Sequence, residues 1–476
     1  RQLRQWARAY LKDSKNLPTI RYCNGSKALI EDEEIRQDVQ LHLQSLGKYF
    51  KASDIVNYSA QSEVMERWGR DKPISERTAH NWLHVMEYRY GKERKGQYVD
   101  GHERSDVVKY RQDVFLVKWL DLEERMVVFG KEGEIVSQPD PTLSRIVPIT
   151  HDKSTFYAND QRKTRWVHLS EGPVPIRKGD GTSLMVSDFC SSDLPGGWLR
   201  SKDGTCEARL FFKAGKNRDG YFSSEDILET THNAMDLFET HFPPESGVRA
   251  LFLFDNAKTH QKRAANALSA RKMPKSSHPK MRDGIYTNGQ PQPLYFADDH
   301  PDPDKAGLFK GMEVILRERG LWPSGRLRAE CEGFKCADPN RKFDCCARRL
   351  LFNQPDFINQ KSLLQELVES RGHHFLYYPK FHCELNFIEM CWGRAKYAYR
   401  MYGIPWNEAQ QAERVRQALD SVSHLSMVRF ANQSVRFMRA YRQGLSGSQA
   451  AWANKKYHSH RTLPPELVAK IKEKST

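Results

Sequence analysis

The feature that most constrains this chain is a short run that is apolar at every position. Residues 250–254 read ALFLF, without the alternation of polar and apolar side chains that a half-exposed strand shows. A strand of this kind is buried on both of its faces, as the central strands of α/β sheets are. The run ends directly in Asp255. We therefore expect a central strand with covering layers on both sides and an acid at its carboxyl end.

Other strand and helix patterns surround this central strand. Strand patterns occur at 146–150, 164–169, 184–189, 208–213 and 373–379. Residues 223–242 carry apolar side chains on one helical face, and Pro243 and Pro244 end that helix. Strands in succession, followed by further strand and helix, predict an α/β fold with a mixed sheet.

The charge balance indicates the class of partner. The chain has 476 residues, with 75 Lys and Arg against 60 Asp and Glu, so its formal net charge is +15. Such a surplus favours a polyanion such as nucleic acid. Residues 401–476 hold 12 Lys and Arg against 5 Asp and Glu, and the helical spacing at 412–438 predicts a folded basic tail there. No apolar run approaches the length of a membrane helix, so we expect no membrane partner.

Sequence patterns in the first hundred residues predict several short helices. Segments 30–46 and 52–62 have helical spacing, and a third helix begins at Ser75 and should run until Gly91. This set suits a helix-turn-helix module whose last helix exposes DNA-reading side chains. The alternative interpretation is an ordinary amphipathic helix. The candidate DNA-binding residues are Arg77, His80, Asn81 and His84.

Three acids lie at or near the ends of predicted strands, where open sheets form their site crevices. Asp152 follows IVPIT, Asp255 follows ALFLF, and Glu389 begins a helix soon after HHFLYYP. Carboxylates gathered at one point need cations, and they are the hard ligands that Mg²⁺ or Mn²⁺ prefers. Two such ions can hold the attacking and leaving oxygens of a phosphodiester displacement. Taken singly, each acid could instead be a turn residue or a helix cap.

Three sequence blocks carry a family resemblance. The segments THDKSTF (150–156), FDNAKTH (254–260) and ELNFIEMCWGRAK (384–396) resemble the catalytic blocks of the mariner-like superfamily of Asp-Asp-Glu transposases. The phrases YVDGHERSDVVKYR and KTHQKRAANALSARKMPK are similar to the lineage of these transposases found in fungal genomes. The resemblance implies an RNase H-like catalytic core. It also implies that Asp152, Asp255 and Glu389 form the metal-binding triad, with Asn256, His260 and Asn386 as supporting residues.

The same resemblance implies an activity and its partners. Such an enzyme binds the terminal inverted repeats of a transposon, excises the element and joins its ends to target DNA with two Mg²⁺ or Mn²⁺ ions, in the nucleus and as a homodimer on double-stranded DNA. The implied domains are 1–112 (helical DNA-binding region and linker), 113–400 (catalytic domain with an insertion at about 262–372) and 401–476 (basic helical tail).

This chain departs from the family pattern at three points. Lys153 stands where the family usually has Glu, and Phe387 where it usually has Pro. The separation of Asp255 and Glu389 is far longer than usual, which requires the insertion. A cation beside the triad favours the alternative of a domesticated or catalytically decayed DNA-binding protein. A nuclease that cleaves without strand joining is a third alternative.

The insertion contains a cysteine cluster that allows two interpretations. Its members are Cys331, Cys336, Cys345 and Cys346. Four thiols could close a tetrahedral zinc site that staples an otherwise coreless loop. Their spacing matches no standard zinc motif and adjacent cysteines are awkward ligands of one ion, so reduced thiols without metal are the preferred interpretation.

Two further acids test the assignment of the triad. Asp188 ends the strand pattern LMVSD and is a rival site acid, although a strand-end turn residue is the simpler reading. Asn386 could be the N-cap of a helix with Glu389 at its third position, which would give Glu389 a capping role. Glu384 has no expected role in stability or in catalysis.

Overall fold

The computed structural model describes residues 2–13, 29–46, 50–86, 88, 101–161, 178–273, 280–334 and 345–456. The chain divides into two compact units, residues 1–96 and residues 97–476. The sequence placed this boundary at residue 112. The difference arises because the helix that follows residue 104 buries Val107, Arg111 and Phe115 within the second unit.

The described part of the first unit is helical. Its helices are α1 (Gln2–Lys12), α2 (Glu33–Leu46), α3 (Ala52–Ser59), α4 (Ser62–Arg67) and α5 (Glu76–Val85). Buried side chains such as Val39, Ile55 and Trp82 form a common core for α2 to α5. Ser75 caps α5 as predicted, because its hydroxyl accepts a hydrogen bond from the Thr78 N–H at 3.2 Å.

Two of the predicted helix boundaries in this unit were wrong. The helix expected at 52–62 ends at Ser59, because the chain turns at Ala60 and Gln61 before α4 begins at Ser62. The helix α5 ends at Val85 rather than near Gly91, since Met86 already leaves the helical conformation. Both errors concern helix ends, where local hydrogen bonding decides the outcome.

The second unit is built on a mixed sheet of five strands. The strands along the chain are β1 (Val128–Phe129), β2 (Ile135–Ser137), β3 (Ile146–Tyr157), β4 (Ser183–Cys190), β5 (Leu210–Phe212), β6 (Arg249–Phe254), β7 (Gly284–Ile285), β8 (Pro291–Gln292) and β9 (His374–Tyr377). The sheet order is β5–β4–β3–β6–β9, and β1–β2 and β7–β8 are separate hairpins. The strands β3, β4 and β5 are antiparallel, whereas β6 and β9 run parallel to β3. The predicted RNase H-like mixed sheet is thus confirmed.

Strand β3 is longer than the sequence predicted. The pattern indicated a strand over 146–150 with Asp152 after its end, but β3 continues to Tyr157. It continues because Thr150–Tyr157 pairs with Cys190–Ser183 of β4. Asp152 therefore lies inside a strand. The strand expected at 164–169 lies outside the described residues, whereas those at 184–189, 208–213 and 373–379 correspond to β4, β5 and β9.

Helices of the second unit cover both faces of the sheet or lie in the insertion. They are α6 (Ser105–Tyr110), α7 (Leu116–Glu123), α8 (Ser224–His241), α9 (Gly311–Glu318), α10 (Ala347–Phe352), α11 (Pro355–Ile358), α12 (Leu363–Ser370), α13 (Ile388–Tyr399), α14 (Glu408–Asp420), α15 (His424–Arg442) and α16 (Gly447–Lys456). A π-helical turn, Arg111–Phe115, joins α6 to α7. Within the described ranges, no helix combines the length and apolarity needed to cross a bilayer.

The side chains of β6 alternate between two cores. Ala250, Phe252 and Phe254 pack with α8 and α12 on one face of the sheet. Leu251 and Leu253 pack with α7, α15 and α16 on the other face. The run ALFLF is therefore the central strand covered on both faces that its composition predicted.

The insertion has a core of its own, which corrects the expectation of a coreless surface loop. Helices α9, α10 and α11 bury Ile315, Leu316, Leu351 and Phe357 together. The insertion also ends earlier than residue 372, because α12 packs on α8 through Leu364 and Val368. Apolar residues spread among prolines and glycines gave no periodic signal from which this core could be predicted.

The basic tail is part of the second unit rather than an appendage. Helices α14 and α15 are separated by a break at Ser421–Ser423, and both pack in the same core as α13 through residues such as Val415, Leu419 and Met427. Arginines of this tail also pair with acids of the same unit: Arg429 with Glu132, Arg439 and Arg442 with Glu123, and Arg416 with Glu207. Much of the charge in the described tail is therefore used within the fold.

We expect Leu419→Ala to destabilise the second unit by about 2 to 5 kcal/mol, because it opens a cavity beneath α14. Leu419 is fully buried, whereas Trp406 in the same tail is 88% exposed. Trp406→Ala is the matched control and should change stability by less than about 0.5 kcal/mol. Urea unfolding of the full chain measures both variants. Equal, small effects would show that the tail is a loosely attached appendage after all.

Candidate active site

The parallel pairing of β3 with β6 brings two acids to the same level of the sheet. Thr150 lies opposite Leu253. Two residues further along each strand come Asp152 and Asp255, at the point where β6 ends and β3 continues alone with β4. Glu389 in the first turn of α13 faces the same cleft, which has a volume of about 410 Å³. The three acids predicted from sequence thus line one cleft.

Asp152 is the least solvated acid of the three. The indole Nε1–H of Trp392 donates a hydrogen bond to its Oδ2 at 2.9 Å and so fixes the carboxylate against α13. Burial raises the pKa of Asp152 to about 8, and the charges of Glu389 and Asp255 act in the same direction. An uncompensated negative charge at this position is therefore costly.

Asp255 is held by a histidine from its own loop. The Nδ1 of His260 lies 2.6 Å from Asp255 Oδ1, and the His260 side chain is almost fully buried. Burial acts to raise the pKa of Asp255, but the hydrogen bond and charge of His260 lower it below its usual range. His260 thus orients one member of the acid group and favours its ionised form.

Glu389 does not have the capping role that the sequence allowed. The N-cap of α13 is Phe387, no side chain caps that helix end, and Glu389 occupies its second position. Desolvation raises the pKa of Glu389, Lys396 lowers it, and the charge of Asp255 adds to the rise. Glu389 lines the same cleft as Asp152 and Asp255, which places it in the acid group.

Asn386 fastens the start of α13 to β3 instead of capping the helix. Its Nδ2 donates to the carbonyl of His151 at 3.2 Å, and its Oδ1 accepts from the Thr150 hydroxyl. The Tyr378 hydroxyl in turn donates to Thr150 Oγ1 at 3.1 Å. Because Asn386 is buried, these bonds have no competition from water. They fix the distance between Asp152 and Glu389.

Asn256 fastens the other side of the cleft. Its Nδ2 donates to the carbonyl of Tyr378, so the residue after Asp255 is tied to the end of β9. The carbonyl of Asn256 accepts a bond from Gln261 at 3.2 Å, which closes the loop on itself. Asn256, like His260 and Asn386, therefore positions the acids.

Lys153 lies beside the acids but does not pair with them. Neighbouring residues of a strand point to opposite faces, and the ammonium of Lys153 lies 3.4 Å from Thr259 Oγ1 and 4.7 Å from the ring centroid of Phe222. Burial lowers the pKa of Lys153, against the opposing effect of Asp255 and Asp152. Lys153 thus lies on the face of the sheet opposite the acids. Its charge affects the electrostatic field of the cleft, but its amine does not occupy the position of a metal ligand.

The chemistry of the donor set fits a hard divalent cation. The acids supply carboxylate oxygens, the ligands that Mg²⁺ and Mn²⁺ prefer. The pKa values of Asp152 and Glu389 are both raised, in part by the negative charges of neighbouring acids, and a cation between the acids would relieve that repulsion. Asp152, Asp255 and Glu389 are the residues that could hold it.

The rival acid Asp188 belongs to a buried ion pair. It lies within β4 opposite Asp152, so it is not the strand-end turn residue that was expected. The Nε of Arg209 donates to its Oδ2 at 2.6 Å, and both side chains are 1% exposed. Burial raises the pKa of Asp188 to about 6, while Arg209 lowers it. Its structural partner makes it a poor metal ligand.

The other predicted residues lie away from this cleft. On α5, the candidate DNA-binding residues Arg77, His80, Asn81 and His84 are all exposed, opposite the buried Ala79 and Trp82. Cys331, Cys345 and Cys346 lie together in the insertion, and Cys336 lies outside the described residues.

Sequence reasoning missed a polar cluster that borders the cleft. Glu384 Oε1 accepts hydrogen bonds from the Tyr441 hydroxyl at 2.6 Å and from His382 Nδ1 at 2.8 Å, and lies 3.1 Å from His102 Nε2. Burial acts to raise the pKa of Glu384, but His102 and His382 hold it well below its usual range. Glu384, for which the sequence suggested no role in stability, is therefore the shared acceptor of a largely buried cluster. His102 and Tyr441 are too distant from Glu384 in sequence for any local pattern to reveal them.

A strained residue in the cleft was also missed. Phe381 has φ 64°, a left-handed conformation that residues other than glycine rarely adopt, and its ring is 39% exposed. It follows Lys380, which is exposed in the same cleft. The cleft therefore presents a cation and an aromatic ring beside the acids.

Comparison with known proteins gives a weak but consistent likeness. No family model matches the chain, and no curated protein matches it. Among solved structures, a pre-cleavage Mos1 transpososome is similar over 96% of this chain and 88% of that chain, with 9% identity and a TM-score of 0.44. The Mos1 mariner paired-end complex with Mn gives the same values, and the Mos1 strand transfer complex gives 13% identity and 0.30 over 54% of this chain and 60% of that chain. At such low identity and score, residue roles depend on the geometry of the site.

We expect Glu384→Gln to destabilise the second unit by about 1.5 to 3 kcal/mol, because hydrogen bonds to a buried carboxylate become bonds to a neutral amide. The pKa of His102 should also fall, since burial alone lowers it and Glu384 is the largest opposing influence. Urea unfolding and NMR titration measure these effects. Glu313→Gln, on an exposed helical pair with Arg317, is the control. If the pKa of His102 in Glu384→Gln equals its value in the wild type, the proposed interaction within the cluster is refuted.

Proposed function

We propose that this chain is a metal-dependent transposase that cleaves and rejoins DNA strands. The observation that supports the proposal is the convergence of Asp152, Asp255 and Glu389 on one cleft from three separate elements. The order of the strands that carry them is that of an RNase H-like sheet. The pKa values of Asp152 and Glu389 are raised, that of Asp255 is lowered by His260, and a fixed framework holds the three acids, which suits a site built for cations.

Each acid has its own support in this proposal. Trp392 orients Asp152, His260 orients Asp255, and the bonds of Asn386 to β3 set where Glu389 begins its helix. The bound ions, two Mg²⁺ or Mn²⁺ held by these acids, would activate the attacking oxygen and stabilise the leaving oxygen of the phosphodiester. Fixed carboxylates need no rearrangement as the reaction proceeds, which is what in-line attack first by water and then by a 3′-hydroxyl requires.

The proposed partner is double-stranded DNA, including the terminal inverted repeats of an element and a target site. The net charge of +15 supports a polyanionic partner, and the exposed polar face of α5 supplies side chains able to contact bases. The family resemblance supports a homodimer that holds two element ends and action on chromosomal DNA in the nucleus.

A catalytically decayed DNA-binding protein is less well supported. Lys153 was the residue that favoured it, but its ammonium lies against Thr259 and Phe222 rather than among the acids. A nuclease without strand joining would share the whole cleft, so only the joining step distinguishes it.

Glu389→Gln should abolish strand cleavage, because the amide keeps the size of the side chain but lacks the charge that a hard cation requires. Stability should change by less than about 1 kcal/mol, since no side-chain cap is lost. The assay uses a supercoiled plasmid carrying both ends of the element, with Mg²⁺ or Mn²⁺, and scores cleavage and joining separately.

The control for this test is Glu413→Gln on the exposed side of α14, which should cleave as the wild type does. Cleavage by Glu389→Gln would show that the third acid is misplaced. Cleavage by the wild type without any joined product would favour the nuclease.

Lys153→Gln should lower the Mg²⁺ concentration for half-maximal cleavage by a factor of a few, because a cation that competes for the field of Asp152 and Asp255 is removed. Because the charge of Lys153 acts from the opposite face of the sheet rather than at a ligand position, we expect a moderate change in the Mg²⁺ dependence and not a complete loss or gain of activity. Mg²⁺ titration of cleavage measures it, with Lys216→Gln on an exposed loop as the control. An unchanged Mg²⁺ dependence would show that Lys153 has no influence on the metals.

A further inference from the structure

The two cysteine-bearing segments of the insertion are fastened side by side. The Ala347 N–H donates to the Arg328 carbonyl at 2.9 Å, and the Arg348 N–H donates to the Ala329 carbonyl at 3.1 Å. Arg348 Nε also lies 3.0 Å from Glu330 Oε2. These bonds join residues 328–330, directly before Cys331, to residues 347 and 348, directly after the Cys345–Cys346 pair. The approach of the cysteines is therefore a consequence of backbone pairing.

The sulfur atoms have the spacing of a metal site. Cys331 Sγ and Cys345 Sγ are 3.6 Å apart, and Cys345 Sγ and Cys346 Sγ are 4.0 Å apart. Tetrahedral Zn²⁺ with bonds of about 2.3 Å requires sulfur atoms about 3.8 Å apart. All three sulfur atoms lie within 4.8 Å of one another. The observed distances bracket the value that one zinc ion imposes.

Cys345 and Cys346 can both face one ion although they are adjacent. Cys346 is extended, with φ −159° and ψ 160°, and it stands at the N-cap of α10. Its side chain is fully buried, whereas Cys331 and Cys345 are half-buried. The cluster thus lies at the edge of the insertion core, accessible to an ion from one side. Sequence spacing alone had disfavoured this geometry.

We propose that Cys331, Cys345 and Cys346 bind a Zn²⁺ ion that stabilises the insertion, with water as the fourth ligand on the open side of the cluster. Thiolates are soft ligands that select Zn²⁺ over Mg²⁺, so this site is chemically distinct from the carboxylate cleft. Three thiolates and one Zn²⁺ ion leave a single net negative charge on the complex. On binding, the thiols lose their protons to solvent and no oxidation is involved.

The ion would lock the outer edge of the insertion. The core beneath it includes Ala347 and Leu351 of α10, directly after the cysteines. Binding joins the segment at 328–331 to the start of α10 and so adds to the two backbone hydrogen bonds between them. The gain in rigidity applies to the insertion and not to the acids of the cleft.

The test measures zinc in the full chain, purified without a metal-binding tag or chelator. Elemental analysis should give about one Zn²⁺ per chain, and a thiol-specific mercurial should release it into a colorimetric zinc indicator. Zinc held by carboxylates would not respond to the mercurial, so the readout distinguishes the two sites. This arm uses wild-type protein and does not depend on a variant folding.

Variants then locate the ligands. Cys331→Ser and Cys345→Ser should each lower the mercurial-released zinc at least about tenfold, whereas Cys206→Ser, at an exposed cysteine in another part of the unit, should leave it unchanged. Absence of zinc from the wild type, zinc retained in both cluster variants, or a Cys331–Cys345 disulfide in the purified protein would each overturn the proposal.

Discussion

The parallel pairing of β3 with β6 is the constraint on which the site depends. Backbone hydrogen bonds fix the register from Ile146 with Arg249 to Thr150 with Leu253, so Asp152 and Asp255 must come level with each other. A shift of one residue would turn the side chains of one strand to the opposite face. The apolar side chains of β6 resist such a shift, because they are divided between two cores. The register that packs both cores is therefore also the register that places the two acids level with each other.

Glu389 reaches these acids by a second route. Asn386 joins α13 to β3 through Thr150 and the His151 carbonyl, so the third acid is positioned by side-chain bonds. Burial raises the pKa of Asp152 to about 8, and the charges of the neighbouring Glu389 and Asp255 add to the rise. A framework that keeps like charges together without a cation stores an unfavourable interaction, which binding of a divalent ion would remove.

Sequence patterns predicted the parts of the fold whose signals are local. The continuous apolar run of β6 and the cap at Ser75 are examples, since each depends on neighbouring residues. The extension of β3 depends on pairing with β4, and the role of Glu384 depends on His102 and Tyr441, far along the chain. The core of the insertion has the same origin in distant contacts. The acids could be named from motifs, but not the bonds that hold them.

Anomalous diffraction from crystals soaked in Mn²⁺ tests the central claim most directly, because it locates the ion without an assay of activity. We expect Mn²⁺ in the cleft, coordinated by carboxylate oxygens of Asp152, Asp255 and Glu389 with Asn386 still bonded to β3. Saturating Mn²⁺ that binds elsewhere, or that contacts Asp188 in place of Glu389, would contradict the account.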